Sequence, residues 1–337
     1  MTNNLSDISR IAELLRYSTN RKVVEDFLRS KGLQHSASNW EEFIAKRIIP
    51  SVENNELHEN DFLALLSSVE EYGKQHIFLY SCPPEIAENL LSETRVLQEL
   101  RSAKWETLIE SPLALDTPDV PTVVDVRLEK AAVPLSLTIK EVYTHRAYKP
   151  DSSKEVGDQL IKTWRIIRTR AVNIAKLHRD GLLEIRLASV TESSYKEQRE
   201  RFLHQLVNMI PIHQFNPITF APAKNKLSSN KQELSQTLRF ADTILKNENG
   251  TTFKVSSGSV SDDLAADEGA IESEGGFLRH NGAYAEGQNF FIKAVPDSLS
   301  KEILILMSGE PHEFGVMANC SEADYSYVLG ELRKLNG

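Results

Sequence analysis

Residues 164–188 read WRIIRTRAVNIAKLHRDGLLEIRLA, and this stretch sets the fold class. Residues 164–175 are rich in β-branched side chains. Residues 182–188 alternate, with Leu183, Ile185 and Leu187 on one face and Glu184 and Arg186 on the other. That period of two belongs to a strand with one buried and one wet face. Between them stands Arg179-Asp180-Gly181, and Asp-Gly readily supplies the positive φ angles of a tight turn. The stretch predicts a β-hairpin, and strands joined by short turns give an antiparallel sheet rather than βαβ crossovers.

Working outward, residues 122–128 and 135–143 read as further strands from their β-branched and aromatic content. Downstream, 194–209 and 230–245 read as helices, 251–256, 289–295, 302–307 and 314–318 as strands, and 322–335 as a last helix behind Ser321. Residues 259–276 carry six acids and no Lys or Arg among Ser, Gly and Ala, which predicts an exposed mobile loop.

Upstream the period is helical. Leu5, Ile8, Ile11, Leu14 and Leu15 form one stripe, and Val23, Val24, Phe27 and Leu28 form another between a cap at Asn20 and a stop at Gly32. Trp40, Phe43, Ile44 and Ile48 continue the pattern as far as Pro50, then Phe62, Leu65, Leu66 and Val69 toward Gly73, and 86–108 is helical again. His76 to Tyr80 fits either a buried strand or a helical turn. Pro112, Pro118 and Pro121 with Asp116 and Asp119 read as a connection. The expected fold is α+β: an all-helical bundle over 1–110, a linker over 111–121, and a mostly antiparallel sheet domain with packed helices over 122–337. A chain of 337 residues exceeds what one hydrophobic core usually holds.

Cys82 and Cys320 lie far apart with no metal-ligand spacing, so neither a disulfide framework nor a zinc site is expected. No segment approaches the roughly 20 apolar residues that cross a bilayer, so a cytoplasmic protein without membrane contact is expected. No Gly-rich phosphate loop precedes a helix, and no cofactor is expected. Gly275, Gly276, Gly282 and Gly287 read as turn glycines. The histidines, including His145, His178, His204 and His213, are scattered, and His280-Asn281 alone is no nuclease signature. No metal site is expected from them. Ser228 and Lys231 stand at the S-x-x-K spacing, although a serine ahead of a helix is ordinarily a cap. Asp125, Glu129, Glu141 and Glu184 fall near strands, where convergent carboxylates would serve a metal-dependent phosphodiesterase. A solvated ion pair explains Glu184 with Arg186 equally well.

The clearest anomaly is charge. Between residues 162 and 186 the balance is +5 in a chain of net charge −9, leaving −14 elsewhere. A candidate nucleic-acid contact comprises Lys162, Trp164, Arg165, Arg168, Arg170, Lys176, His178 and Arg179. Guanidinium groups grip phosphate oxygens, and the tryptophan offers a stacking face. The competing account pairs these cations with the chain's own acids, among them the 262–274 stretch, or with an acidic partner. The expected function is a non-enzymatic binding component holding DNA or RNA on the hairpin and a protein partner, or a second copy, on the helical module. A pure protein adaptor is the first alternative and the phosphodiesterase the second.

Overall fold

A computed structural model describes residues 5–129, 135–189, 194–259, 261–279 and 282–337. The fold is α+β with antiparallel strand pairing, as the sequence predicts. Helix α1 (Leu5–Ser18) buries Ile8, Ile11, Ala12 and Leu15. Helix α2 (Arg21–Ser30) opens where the Asn20 side chain accepts the Val23 N–H, and the chain turns away at Gly32 with φ +75°. Trp40–Phe43 (α3) leads through a π turn over Ile44–Ile48 into α4 (Ile49–Glu53). Pro50 therefore does not end the helix: the widened turn ahead of it absorbs the hydrogen bond that proline cannot donate. Helix α5 (Glu59–Glu71) is followed at once by β1 (Gly73–Ser81), so His76 to Tyr80 is strand. The span 86–108 breaks into α6 (Pro84–Leu90), α7 (Glu93–Ala103) and a 3-10 turn.

Strand β2 (Thr122–Glu129) precedes β3 (Ser136–Val156), β4 (Gln159–His178) and β5 (Leu182–Ala188). Helix α8 (Tyr195–Gln205) begins with a Ser194–Glu197 capping box. After β6 (Asn216–Pro217) come α9 (Ala221–Ser229), α10 (Lys231–Leu234) and β7 (Leu238–Lys246). The helix expected over 230–245 is thus one short helical turn followed by strand from Leu238. Leu238, Phe240 and Leu245 are buried around a register shift that blurs the period of two. Strand β8 (Thr252–Ser256) pairs with β7. The expected mobile loop over 259–276 is instead largely α11 (Glu268–Leu278), started by the Asp267 side chain accepting the Ala270 N–H. Gly275 and Gly276 lie in that helix rather than in turns. Strands β9 (Tyr284–Ile292), β10 (Ile303–Leu306) and β11 (Glu313–Asn319) and helix α12 (Glu322–Asn336) complete the chain.

These elements form two compact units, each drawn from separate segments: Met1–Glu71, Glu88–Arg179 and Leu187–Ile210 in the first, Tyr72–Ala87, Asp180–Arg186 and Pro211–Gly337 in the second. Residues 111–121 lie inside the first unit. There the sheet order is β2-β3-β4. The helical core gathers Ile11, Leu15, Leu28, Phe43, Phe62 and Leu66, and α1 and α5 lie against β4. On that face Glu70 meets Lys140 at 2.7 Å and Arg170 at 2.9 Å, and Glu71 meets Arg127 at 2.7 Å. Adjacent residues of β3 point to opposite faces, so Glu141 lies on the other side. Arg201 of α8 grips it with two bonds of 2.6 Å, and Asn173 Nδ2 donates to it at 2.8 Å.

In the second unit the order is β5-β1-β11-β10-β9-β7-β8, with β6 on β1. Ile77, Leu79, Phe220, Phe240, Phe290, Phe314, Val328 and Leu332 form its core. Strand β5 is buried on both faces rather than wet on one. Arg186 pairs with Glu184 at 2.9 Å and lies over the rings of Tyr72 and Tyr325, and the Tyr325 hydroxyl donates to Glu184 at 2.5 Å. The predicted solvated pair is a buried one, tolerable because each charge has partners.

Candidate nucleic-acid interface

The cationic strand β4 pairs antiparallel with β3 over its whole length, from Ser136↔His178 to Val156↔Gln159. The two-residue connection is Gly157-Asp158, with Gly157 at φ +59°, as a type II′ turn requires at its first central position. Residues 148–166 are exposed throughout. Sequence reading ends this strand at Tyr143, where the run of β-branched and aromatic residues stops. The strand continues by placing Asp151 in a bulge between Pro150↔Trp164 and Ser152↔Thr163, the kind of irregularity that accommodates a proline within pairing.

Strand β4 itself is regular, so Lys162, Trp164, Ile166, Arg168 and Arg170 share one face and Arg165 lies on the other. The eight candidate residues then divide. Arg170 is committed at the base: its side chain is 2% exposed, pairs with Glu70, and donates to the carbonyls of Asp116 at 2.5 Å and Ala114 at 2.7 Å. Lys176 is within 3.5 Å of Glu129, Arg179 bonds Glu88 at 2.8 Å, and Arg165 bonds the bulged Asp151 at 2.8 Å. His178 closes the strand opposite Ser136. Much of the local charge excess therefore meets the chain's own acids, although not those of the 262–274 stretch. Lys162 and Arg168 have no ion pair among the described residues, and both are exposed.

The partner strand adds residues that sequence reasoning missed. Arg146 stands directly opposite Arg168, Tyr148 opposite Ile166, Pro150 opposite Trp164, and Lys149 opposite Arg165. From the base outward, one face presents an arginine pair, then Tyr148 with Ile166, then Pro150 with Trp164, then Lys162. Trp164 is 48% exposed and Tyr148 59%. Residues 146–168 hold six cations and three acids. Like charges directly opposite across a ribbon are unfavourable, and the only acid within ion-pair range of Arg146 among the described residues is Asp119, at 3.9 Å. The one local signal for this longer hairpin was Gly157-Asp158, set between two runs of strand-forming residues.

The catalytic alternatives fare differently. Among the described residues no group of three His, Cys, Asp or Glu side chains is placed to hold a metal ion. Asp125 pairs with Arg127 at 3.0 Å, and burial pushes its carboxyl above the ordinary value against the pull of Arg127 and Lys140. Glu129 accepts from Ser136, while Glu141 and Glu184 are held as described above. Ser228 is buried within α9 and is not a cap. Lys231 Nζ donates to both Glu274 oxygens, at 2.6 and 2.5 Å, and to Thr243. Burial lowers its pKa while Glu274 opposes the shift, so the lysine is an ion-pair partner rather than a base for Ser228. His280 and Asn281 lie outside the described residues. Among the described residues no helix is long and apolar enough to cross a membrane. No protein-family model matches the sequence, and no curated protein matches it.

Proposed function

We propose that this chain is a non-enzymatic binding component whose exposed β3–β4 hairpin contacts nucleic acid. The observation that carries the reading is the cross-strand pair Arg146↔Arg168, two exposed like charges set directly opposite each other. A polyanion lying along the ribbon removes their mutual repulsion and gains charge-assisted bonds. Lys162 extends the cationic track on the same face, and β ribbons are a recurrent means of presenting such groups to a groove or a strand. The helical module, with its own core, is the proposed site for a protein partner.

The test is a salt-titrated binding assay with short DNA and RNA. Arg146→Ala with Arg168→Ala should weaken binding to every sequence and flatten its salt dependence while the protein stays folded. Absence of binding by the natural protein to either polymer at low salt sinks the proposal. A protein-docking role for the same hairpin is favoured by a separate observation, the exposure of Val156, Leu160 and Ile161 near its turn, since clustered apolar side chains mark interaction surfaces. In that case Leu160→Ser with Ile161→Ser abolishes capture of a partner and leaves polyanion binding intact.

A further inference from the structure

We infer that the hairpin selects unstacked, single-stranded nucleic acid over duplex, with Tyr148 and Trp164 as base-stacking platforms. This rests on the nucleic-acid reading above and adds the class of ligand. Tyr148 faces Ile166 and Trp164 faces Pro150 on successive rungs of one ribbon face. Diagonal neighbours on such a face are about 7–8 Å apart, within reach of two rings that each take a separate base.

The charged groups bracket the rings. Arg146 and Arg168 lie one rung toward the base, and Lys162 lies on the far side of Trp164. Arg168 to Lys162 spans about 20 Å of extended strand, room for a few nucleotides with phosphates held at both ends and bases laid on the rings between. A duplex keeps its π-faces inside the stack and offers these rings nothing, whereas a splayed strand offers one at every base. Both rings are about half exposed, and neither has a ring partner or hydrogen bond among the described residues. A purely electrostatic contact needs the cations and gives no role to two exposed aromatics between them.

The experiment compares four probes of matched phosphate count on the full chain: single-stranded DNA, single-stranded RNA, duplex DNA and inorganic polyphosphate. Binding is followed by fluorescence anisotropy and by tryptophan emission. The expected result is affinity for at least one single strand tenfold or more above duplex and polyphosphate, with emission quenching that Trp164→Phe removes. Trp164→Ala and Tyr148→Ala should each cost about tenfold in single-strand affinity and leave the salt slope unchanged, with thermal melts confirming that both variants fold. Comparing the two single-stranded probes tells RNA from DNA. Equal binding of all four probes, with Trp164→Ala neutral and Arg168→Ala harmful, overturns the single-strand inference and leaves the nucleic-acid reading standing. No binding of any nucleic acid overturns both.

Discussion

Arg168 and Arg170 stand two positions apart on one strand face, and their surroundings assign them opposite duties. Arg170 is desolvated against Glu70 and two carbonyls, so Arg170→Ala leaves Glu70 to Lys140 alone and takes the donor from both carbonyls, and should destabilise by about 1–3 kcal/mol. Arg168→Ala, exposed and unpaired, should change stability by less than about 0.5 kcal/mol and act on binding instead. Paired urea melts and anisotropy titrations check both, and a neutral Arg170→Ala would remove the structural role assigned to it. The shared face of the two arginines was readable from their spacing, but their fates were not, because Glu70 lies a hundred residues away in another element. Gly181 gives a second case. Its φ of +89° was foreseeable from Asp180-Gly181, yet an added Cβ would also fall 2.0 Å from the Cys82 carbonyl oxygen. Gly181→Ala should therefore cost at least about 2 kcal/mol, measured by chemical denaturation. A loss no larger than the roughly 1 kcal/mol that the positive φ alone costs would mean that the close approach relaxes freely.

Strands and helices were legible where period and punctuation agreed: α2 between Asn20 and Gly32, α12 behind Ser321, and β4 and β5 around Asp180-Gly181. They were misread where a bulge or a burial demand intervened. Strand β7 loses its period of two to a register shift, and α11 forms from an acidic, Gly-bearing segment in which Glu274 is buried against Lys231. The long hairpin was missed for the same kind of reason, a bulge at Asp151. Because residues 149–165 bury nothing, joining Tyr148 to Ile166 through Asn-Gly should leave the melting temperature within a few degrees and, by removing Trp164 and Lys162 while keeping Arg146 and Arg168, weaken single-strand binding by about tenfold or more. Loss of cooperative unfolding in that variant would show the hairpin to be structural. Strand pairing also sets a pH response. Glu313 of β11 accepts from His76 of β1 at 2.6 Å. Burial pushes its carboxyl up, but the His76 bond and the Glu310 N–H bring it below the ordinary 4.5. The folded state then holds fewer protons than the unfolded chain just below that value. The pair's stabilisation is complete above about pH 4.5 and fades as pH falls through the folded pKa. His76→Phe should raise the acid-unfolding midpoint, as read by circular dichroism across pH 2–6; an unchanged midpoint would contradict the assignment.

The chain carries −9 overall, yet residues 146–168 carry +3, leaving −12 for the rest. Composition alone argued against nucleic acid, since an acidic surface repels phosphate at long range. What the sum concealed is segregation: the cations on this exposed stretch are spread over two strands joined by a turn, and only the pairing of β3 with β4 brings Arg146 onto the face that carries Arg168 and Lys162. Such an arrangement has a characteristic salt response. Three phosphate contacts to a single strand, at Arg146, Arg168 and Lys162, give a slope of log affinity against log salt of roughly −2. The acidic remainder adds repulsion that salt screens, since the Debye length falls to about 8 Å at physiological ionic strength. Binding should therefore weaken less steeply at the lowest salt concentrations than the contact count implies, and approach the full slope as screening removes the repulsion. A titration of single-stranded oligonucleotide from about 20 to 300 mM salt resolves the curvature. A steep, straight line with a slope near −6 would instead place phosphate on cations well beyond the three named, and would move the interface off the hairpin face.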